Sequence, residues 1–401
     1  MINLFKLIIQ CKKLNIKYSI INKAYISLYY ILVNNIKMKI YFILLLISVA
    51  SIINAKEDLT HTILEKMIDS KADSKTIFAT WHLLFKKDYS LEGTEAITRF
   101  KTFNHNFKKM LIHNSNKAST WKMGLNLFSD LTEEEFRLKH TTFLDVDTQY
   151  SGPPYNLNGF YKTSELQVAA DNEDFHWEDQ DWTSYCGKVF YQQSCGCCYA
   201  FATANAIECN YNIATGKLLE LSRQQIVDCN ALTNGCNGGN AVSSSIYSKS
   251  QGLMLASDYP FTGKVGVCAY NQDKADSSYL EGLRGVGADY PSSFSSNPFS
   301  SSRNLYEMLQ KGTMYISIDA TPIMSYKSGI IDLTGCTGSN HAVLLVGYKW
   351  DSATNTPYWI IKNSWDTWWG EQGYIRVRVK DDSSYNCFIN RSPYQPIAPS
   401  A

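Results

Sequence analysis

Apolar residues recur at helical spacing in the first third of the chain. Ile77, Trp81, Leu84 and Phe85 share one face of a 3.6-residue period and predict a helix. Glu95, Arg99, Phe103, Asn106, Met110 and Asn114 follow in steps of three or four. At ~100° per residue they fall within an arc of roughly 100°, a single mixed stripe along one helix. Glu95 and Arg99 are also an i,i+4 pair of opposite charge. Gly124 to Asp130 alternates apolar and polar in the manner of a strand. Leu131 to Phe136 then reads as a helix start, with Thr132 as cap and Glu135 three residues on.

Elsewhere the pattern marks boundaries. Met38-Lys39, the apolar run Ile40–Val49 and small residues ending at Ala55 have the order of a secretory signal peptide, placed at 38–55. Residues 1–37 hold six Lys and no acid, and form a leader without a functional pattern. Translation is expected to begin at Met38. Periodicity fades over 141–172 around Ser151-Gly152-Pro153-Pro154, as in an extended linker open to proteolysis. The Ser-rich stretch Ser292–Ser302 reads as an exposed loop. Ala200–Glu208 reads as a helix whose first turn begins at Cys198. Asn340–Tyr348 reads as a strand, Lys349–Pro357 as a polar turn and Pro357–Trp365 as the returning strand.

Composition narrows the function. Hydrophobic residues are 45% and charged residues 19%, which suits a packed core. A net charge of +1 without a basic block argues against a nucleic-acid binder. No apolar run reaches the ~18–20 residues of a spanning helix. Residues 173–401 hold 16 basic and 21 acidic groups, compatible with an acidic compartment. Eleven cysteines, an odd number, point to an oxidising compartment and at least one unpaired thiol.

The candidate chemistry lies in Gln192-Gln193-Ser194-Cys195-Gly196-Cys197-Cys198-Tyr199. Cys198 begins the predicted helix, where the helix dipole favours the nucleophilic thiolate. A partner lies far along the chain. His341 and Asn363 are equidistant from position 352, inside the predicted turn, so an antiparallel hairpin sets them side by side. An Asn beside a His can fix its ring and tautomer. Cys195 and Cys198 have CxxC spacing, but tetrahedral zinc sites favour a second Cys/His cluster as well, so no metal is expected.

Cys195-Gly196-Cys197-Cys198-Tyr199, with His341 and Asn363 downstream, resembles the active-site pattern of papain-family cysteine peptidases, in their cathepsin L-like branch. The stripe from Glu95 to Asn114 resembles that family's ERFNIN pro-segment, with Met110 in place of Ile. Gly124, Asn126, Phe128 and Asp130 resemble its GNFD pattern. Gly235-Cys236-Asn237-Gly238-Gly239 and Asn363-Ser364-Trp365 resemble motifs of the mature enzyme.

The resemblance implies an α+β, two-lobed papain-like fold, a helical lobe plus a β-barrel-like lobe, preceded by a small helical pro-domain. It implies an inhibitory pro-domain at 56–140, an activation linker at 141–172 and a mature peptidase at 173–401. Cys198 would be the nucleophile, His341 the base and acid, Asn363 its orienter, Trp365 the shield of that contact, and Gln192 an oxyanion donor. Gly238 and Gly239 would present a backbone edge to an extended peptide. Ala241, Ser317, Ser339, Ala342 and Ser392 would floor an uncharged pocket for a bulky apolar side chain.

Family matching pairs Cys195 with Cys236, Cys229 with Cys268, and Cys336 with Cys387. A fourth bridge, Cys186–Cys209, is expected by similarity to cathepsin B-like relatives. The implied protein needs no cofactor, acts as a monomer on peptide and protein substrates, and is held by its own pro-segment. It travels the secretory pathway to a lysosome, a vacuole or the exterior. An exopeptidase of the same family and an inactive binding module are the alternatives. Departures from the family pattern are Gln193, Cys197, Tyr199, Asn340, Asp366 and Trp368. Asn390-Arg391-Ser392 is a glycosylation sequon, modified or not.

Overall fold

A computed structural model of the protein describes residues 60–141, 177–285, 301–380, 387–390 and 393–399. The expected leader, the signal peptide, all of the linker but Thr141, most of the Ser-rich stretch, and Ser392 lie outside the described residues. Residues 60–69 are helical and belong to a compact unit that ends at Lys71. Ala72–Ala401 form the second unit, which carries the site.

Helix α1 (Ser74–Leu84) is capped by Asp73, whose Oδ1 accepts from the Lys75 and Thr76 N–H groups at 3.0 Å. It buries Ile77, Phe78 and Trp81. Helix α2 (Thr94–Ser115) carries the mixed stripe and buries Phe103 and Met110. The polar stripe residues tie down the chain that folds back over the helix. Asn106 Nδ2 donates to the carbonyls of Ser129 (3.0 Å) and Leu131 (2.9 Å), and Asn114 Nδ2 to that of Met123 (2.8 Å). Arg99 reaches Glu135 at 2.8 Å. Strand β1 (Trp121–Met123) follows, then helix α3 (Glu133–His140), which opens with the expected reciprocal Thr132–Glu135 capping box.

The strand expected over Gly124–Asp130 is a turn. Asn126 Oδ1 accepts the Phe128 N–H at 2.9 Å, and the Asn126 carbonyl accepts the Ser129 N–H at 3.1 Å. These local bonds replace a ladder, so alternation here reflects a folded-back turn burying Phe128 and Asp130.

The remaining strands are β2 (Gln180–Asp181), β3 (Gly282–Gly285), β4 (Met314–Ile318), β5 (Tyr326–Ile331), β6 (His341–Asp351), β7 (Thr356–Lys362), β8 (Tyr374–Arg378) and β9 (Tyr394–Ile397). They hydrogen-bond in the order β1-β5-β8-β7-β6-β4-β9-β3, with β2 beside β6. Strand β1 thus extends the sheet of the following domain, pairing antiparallel with β5. Helices α4 (Cys198–Thr215), α5 (Arg223–Cys229) and α6 (Ala241–Gln251) build a second layer, and α7 (Ser302–Leu309) packs on the sheet. Ser301, within the expected Ser-rich loop, instead caps α7.

Two of the apolar clusters among the described residues frame the site. One gathers Ile316, Leu345, Trp359 and Trp365 from the sheet with Phe128, Leu131 and Phe136. The other gathers Tyr199, Phe201, Ile226 and Ala241 around the cysteine segment. Disulfides join Cys186–Cys209, Cys195–Cys236, Cys229–Cys268 and Cys336–Cys387. Cys197 and Cys198 are free and buried.

Candidate active site

Cys198 is the first residue of α4, and Cys197 stands at its N-cap. The helix is fixed from below. Glu208 and Arg223 form an ion pair at 2.6 Å with both side chains 2% exposed, and the Arg223 guanidinium lies 4.1 Å from the Phe190 ring centroid. Tyr199 donates its hydroxyl to the Gly235 carbonyl at 2.8 Å, which gives the phenol a partner and holds the loop bearing Cys236.

The thiol of Cys198 meets the backbone of Ala342, the residue after His341. Segments nearly 150 residues apart are therefore adjacent. His341 opens β6, and Asn340 fixes that opening: its Oδ1 accepts the Ala320 N–H at 2.8 Å and its Nδ2 donates to Asp319 at 2.9 Å. His341 Nε2 lies 2.8 Å from Asn363 Oδ1. The Trp365 indole stacks on the imidazole, with centroids 4.6 Å apart and planes inclined by 20°.

The hairpin reaches this contact by a different register from the one expected. Leu344 pairs with Lys362 and Leu345 with Ile361, and a bulge precedes Gly347. Continued to the strand end, that pairing sets His341 opposite Trp365. Asn363 has left β7 and reaches the ring with its side chain. Asp351 pairs with Thr356, so the hairpin turns beyond position 352, and an equidistance count about 352 misses that; the bulge before Gly347 recovers only one residue of the offset.

Gln192 is held by Ser364: its N–H donates to the Ser364 carbonyl at 2.9 Å, and its Oε1 accepts the Ser364 hydroxyl at 2.6 Å. Its Nε2 donates to the carbonyls of Cys195 (2.9 Å) and His140 (3.2 Å). His140 ends α3 and is buried against Phe128, ring to ring at 4.7 Å. Neither His140 nor the positioning role of Ser364 stood out in the sequence. Both depend on contacts across the fold, and no local spacing encodes them.

Electrostatics in this closed state differ from the expected thiolate. Burial pushes the Cys198 thiol up to about 12 and His341 down to about 4, although the Asn363 hydrogen bond opposes the latter. His140 is held down to about 3 by burial first, then by Lys139, Lys87 and His341, against a hydrogen bond to the Gln193 backbone. All three groups are neutral near pH 7 while the cleft is covered. The helix dipole cannot offset complete burial of the thiol.

The other expected residues are partly assembled. Ala241 and Ala342 share the apolar cluster around Cys198, and Ser317 pairs with Ala342 across β4 and β6. Ser339 lies two residues before His341 with its hydroxyl enclosed. Ser392 lies outside the described residues. Gly238 and Gly239 are buried with the propeptide in place, the Gly238 carbonyl accepts the Asn234 N–H at 2.8 Å, and a side chain at 239 would meet Tyr199 and Thr233 at 2.9 Å. Asn390 is fully buried, so its amide is inaccessible to a glycan in the folded chain. Gln193 and Asp366 adopt the left-handed backbone, with φ of 57° and 65°.

Comparison with known proteins decides the family. Residues 172–397 match the papain family cysteine protease, and residues 78–136 match the cathepsin propeptide inhibitor domain. The chain belongs to the papain family of cysteine proteases. It is 31% identical to cathepsin L 2 of Paramecium tetraurelia, over 82% of this chain and 95% of that one. It is 34% identical to the cathepsin L-like proteinase of Phaedon cochleariae, over 82% and 96%. Its fold is similar to that of digestive procathepsin L 3 from the Tenebrio molitor larval midgut, with a TM-score of 0.66, 28% identity and coverage of 81% and 99%. The papain-family protease is thus described together with its propeptide. In that zymogen β1 adds to the sheet edge, Phe128 and Phe136 pack on Trp365 at 5.3 and 5.1 Å, and the His140 carbonyl accepts a hydrogen bond from the Gln192 amide.

Proposed function

We propose that this protease is an endopeptidase made as a secreted zymogen, with Cys198, His341, Asn363 and Gln192 carrying the reaction. The observation that supports this reading is the His341–Asn363 contact of 2.8 Å beside the start of α4, under a pro-segment that engages Gln192. Cys198 attacks the peptide carbonyl, the carbon–sulfur bond forms, and the amine leaves with a proton from His341. Water, deprotonated by His341, then breaks the thioester. Gln192 Nε2 and the Cys198 N–H stabilise the oxyanion. Asn363 holds the ring so that one nitrogen serves each proton transfer. Ala241, Ser317, Ser339, Ala342 and Ser392 form a small, uncharged floor for a bulky apolar side chain before the scissile residue. The disulfides suit passage through the secretory pathway to a lysosome, a vacuole or the exterior.

The test is incubation of acid-activated protein with a peptide blocked at both ends, with products read by mass. Internal cleavage after a residue that follows a bulky apolar one is expected, and Cys198→Ala abolishes it. Cleavage only of peptides with a free end, or activity surviving in Cys198→Ala, contradicts the proposal.

A further inference from the structure

The Trp365 that stacks on His341 begins an aromatic run across the surface beside Gln192. Segment 190–192 lies antiparallel to 364–366: Tyr191 bridges Trp365, the Asp366 N–H donates to the Phe190 carbonyl at 2.9 Å, and the Gln192 N–H donates to the Ser364 carbonyl at 2.9 Å. That pairing sets Tyr191 against Trp368, ring to ring at 5.8 Å with planes at 80°. Both are half-buried. Their cover comes from the propeptide. Phe128 lies edge-on to Trp368 at 5.1 Å, and Phe85 lies edge-on to it at 6.0 Å.

Removal of the propeptide uncovers an aromatic ledge continuous with the reacting groups. Its side of the cleft follows from the chemistry. The acyl carbon is bound to Cys198 and the departing nitrogen must lie at His341, so chain beyond the scissile bond leaves over the indole stacked on that imidazole. The Gly238–Gly239 loop is instead tied to the cysteine segment, where Gly196 bridges Asn237.

Resting on the peptidase reading above, we infer that Trp368 and Tyr191 form a specificity site for an aromatic side chain carried by the leaving-group part of the substrate. The propeptide's own Phe128 and Phe85 already seat there edge-to-face, the geometry that aromatic pairs favour.

Amine capture tests this in the unaltered mature enzyme. A chromogenic ester acylates Cys198. Phenylalaninamide or glycinamide then competes with water: the amine nitrogen attacks the thioester, the carbon–sulfur bond breaks, and the proton passes to the sulfur through His341. Phenylalaninamide is expected to be captured about three- to tenfold better than glycinamide, the scale of an edge-to-face pair. Trp368→Ala should bring that ratio close to one, and Trp368→Phe should restore most of it. A wild-type ratio near one, or a ratio unmoved by Trp368→Ala, overturns the inference. Absence of acylation by the ester would instead refute the peptidase reading, so the two failures are separable.

Discussion

His140 enters the cleft without a charge, and that has a direction in pH. Its ordinary value of 6.5 falls to about 3 when docked, mainly through burial, with Lys139, Lys87 and His341 adding repulsion. A free pro-segment therefore binds a proton near pH 6.5 that the docked one refuses. Docking is strongest above 6.5 and weakens up to about tenfold per pH unit as pH falls from there toward 3. His140→Leu should move the onset of autoprocessing to lower pH by on the order of one unit, read by gel across a pH series. An unchanged onset would show that other groups set the response. Asn340 and Ser364 act at the same scale by positioning His341 and Gln192. Spacing singled out His341 and the family resemblance Gln192, whereas the contacts of Asn340 and Ser364 needed the fold.

Among the elements, α2 shows how much a pattern can carry. Its stripe is mixed because two of its asparagines hydrogen-bond the turn that folds back across it. Asn106→Ala leaves two carbonyls without that donor and should cost the zymogen about 1–3 kcal/mol, seen as a lower melting temperature of the Cys198→Ala precursor. An unchanged melting temperature would mean that solvent replaces both bonds. The long helices, the capping box and the β6–β7 hairpin were legible because each has its own local period or cap. The Gly124–Asp130 turn was not, since apolar and polar residues alternate in its sequence while the fold buries Phe128, Ser129 and Asp130 together. Nor was the hairpin register, because the turn lies between Asp351 and Thr356, beyond the point from which His341 and Asn363 are equidistant.

At the scale of the whole molecule, the zymogen is inactive for two physical reasons. The cleft is occupied by α3 and the turn before it, and the same burial keeps Cys198 and His341 neutral. On the proposed reading, removing the propeptide restores water and lets the Cys198 thiol and the His341 imidazole exchange a proton, which would convert the pair into a nucleophile. The aromatic surface from Trp365 to Trp368 is uncovered in the same event and becomes available to substrate. The overall architecture was readable only through the family resemblance, because periodicity gives elements and not their arrangement.

The most direct measurement is the rate at which a thiol-directed epoxide labels Cys198 across pH, before and after propeptide removal. The mature enzyme should react steadily once pH exceeds a value within about 3.5–7.5, the range of a thiolate supported by a helix start and an imidazolium. The precursor should stay unlabelled until strongly alkaline pH or until acid releases the pro-segment. Equal labelling of both forms, or a mature thiol that ionises only near its ordinary value, would contradict the account.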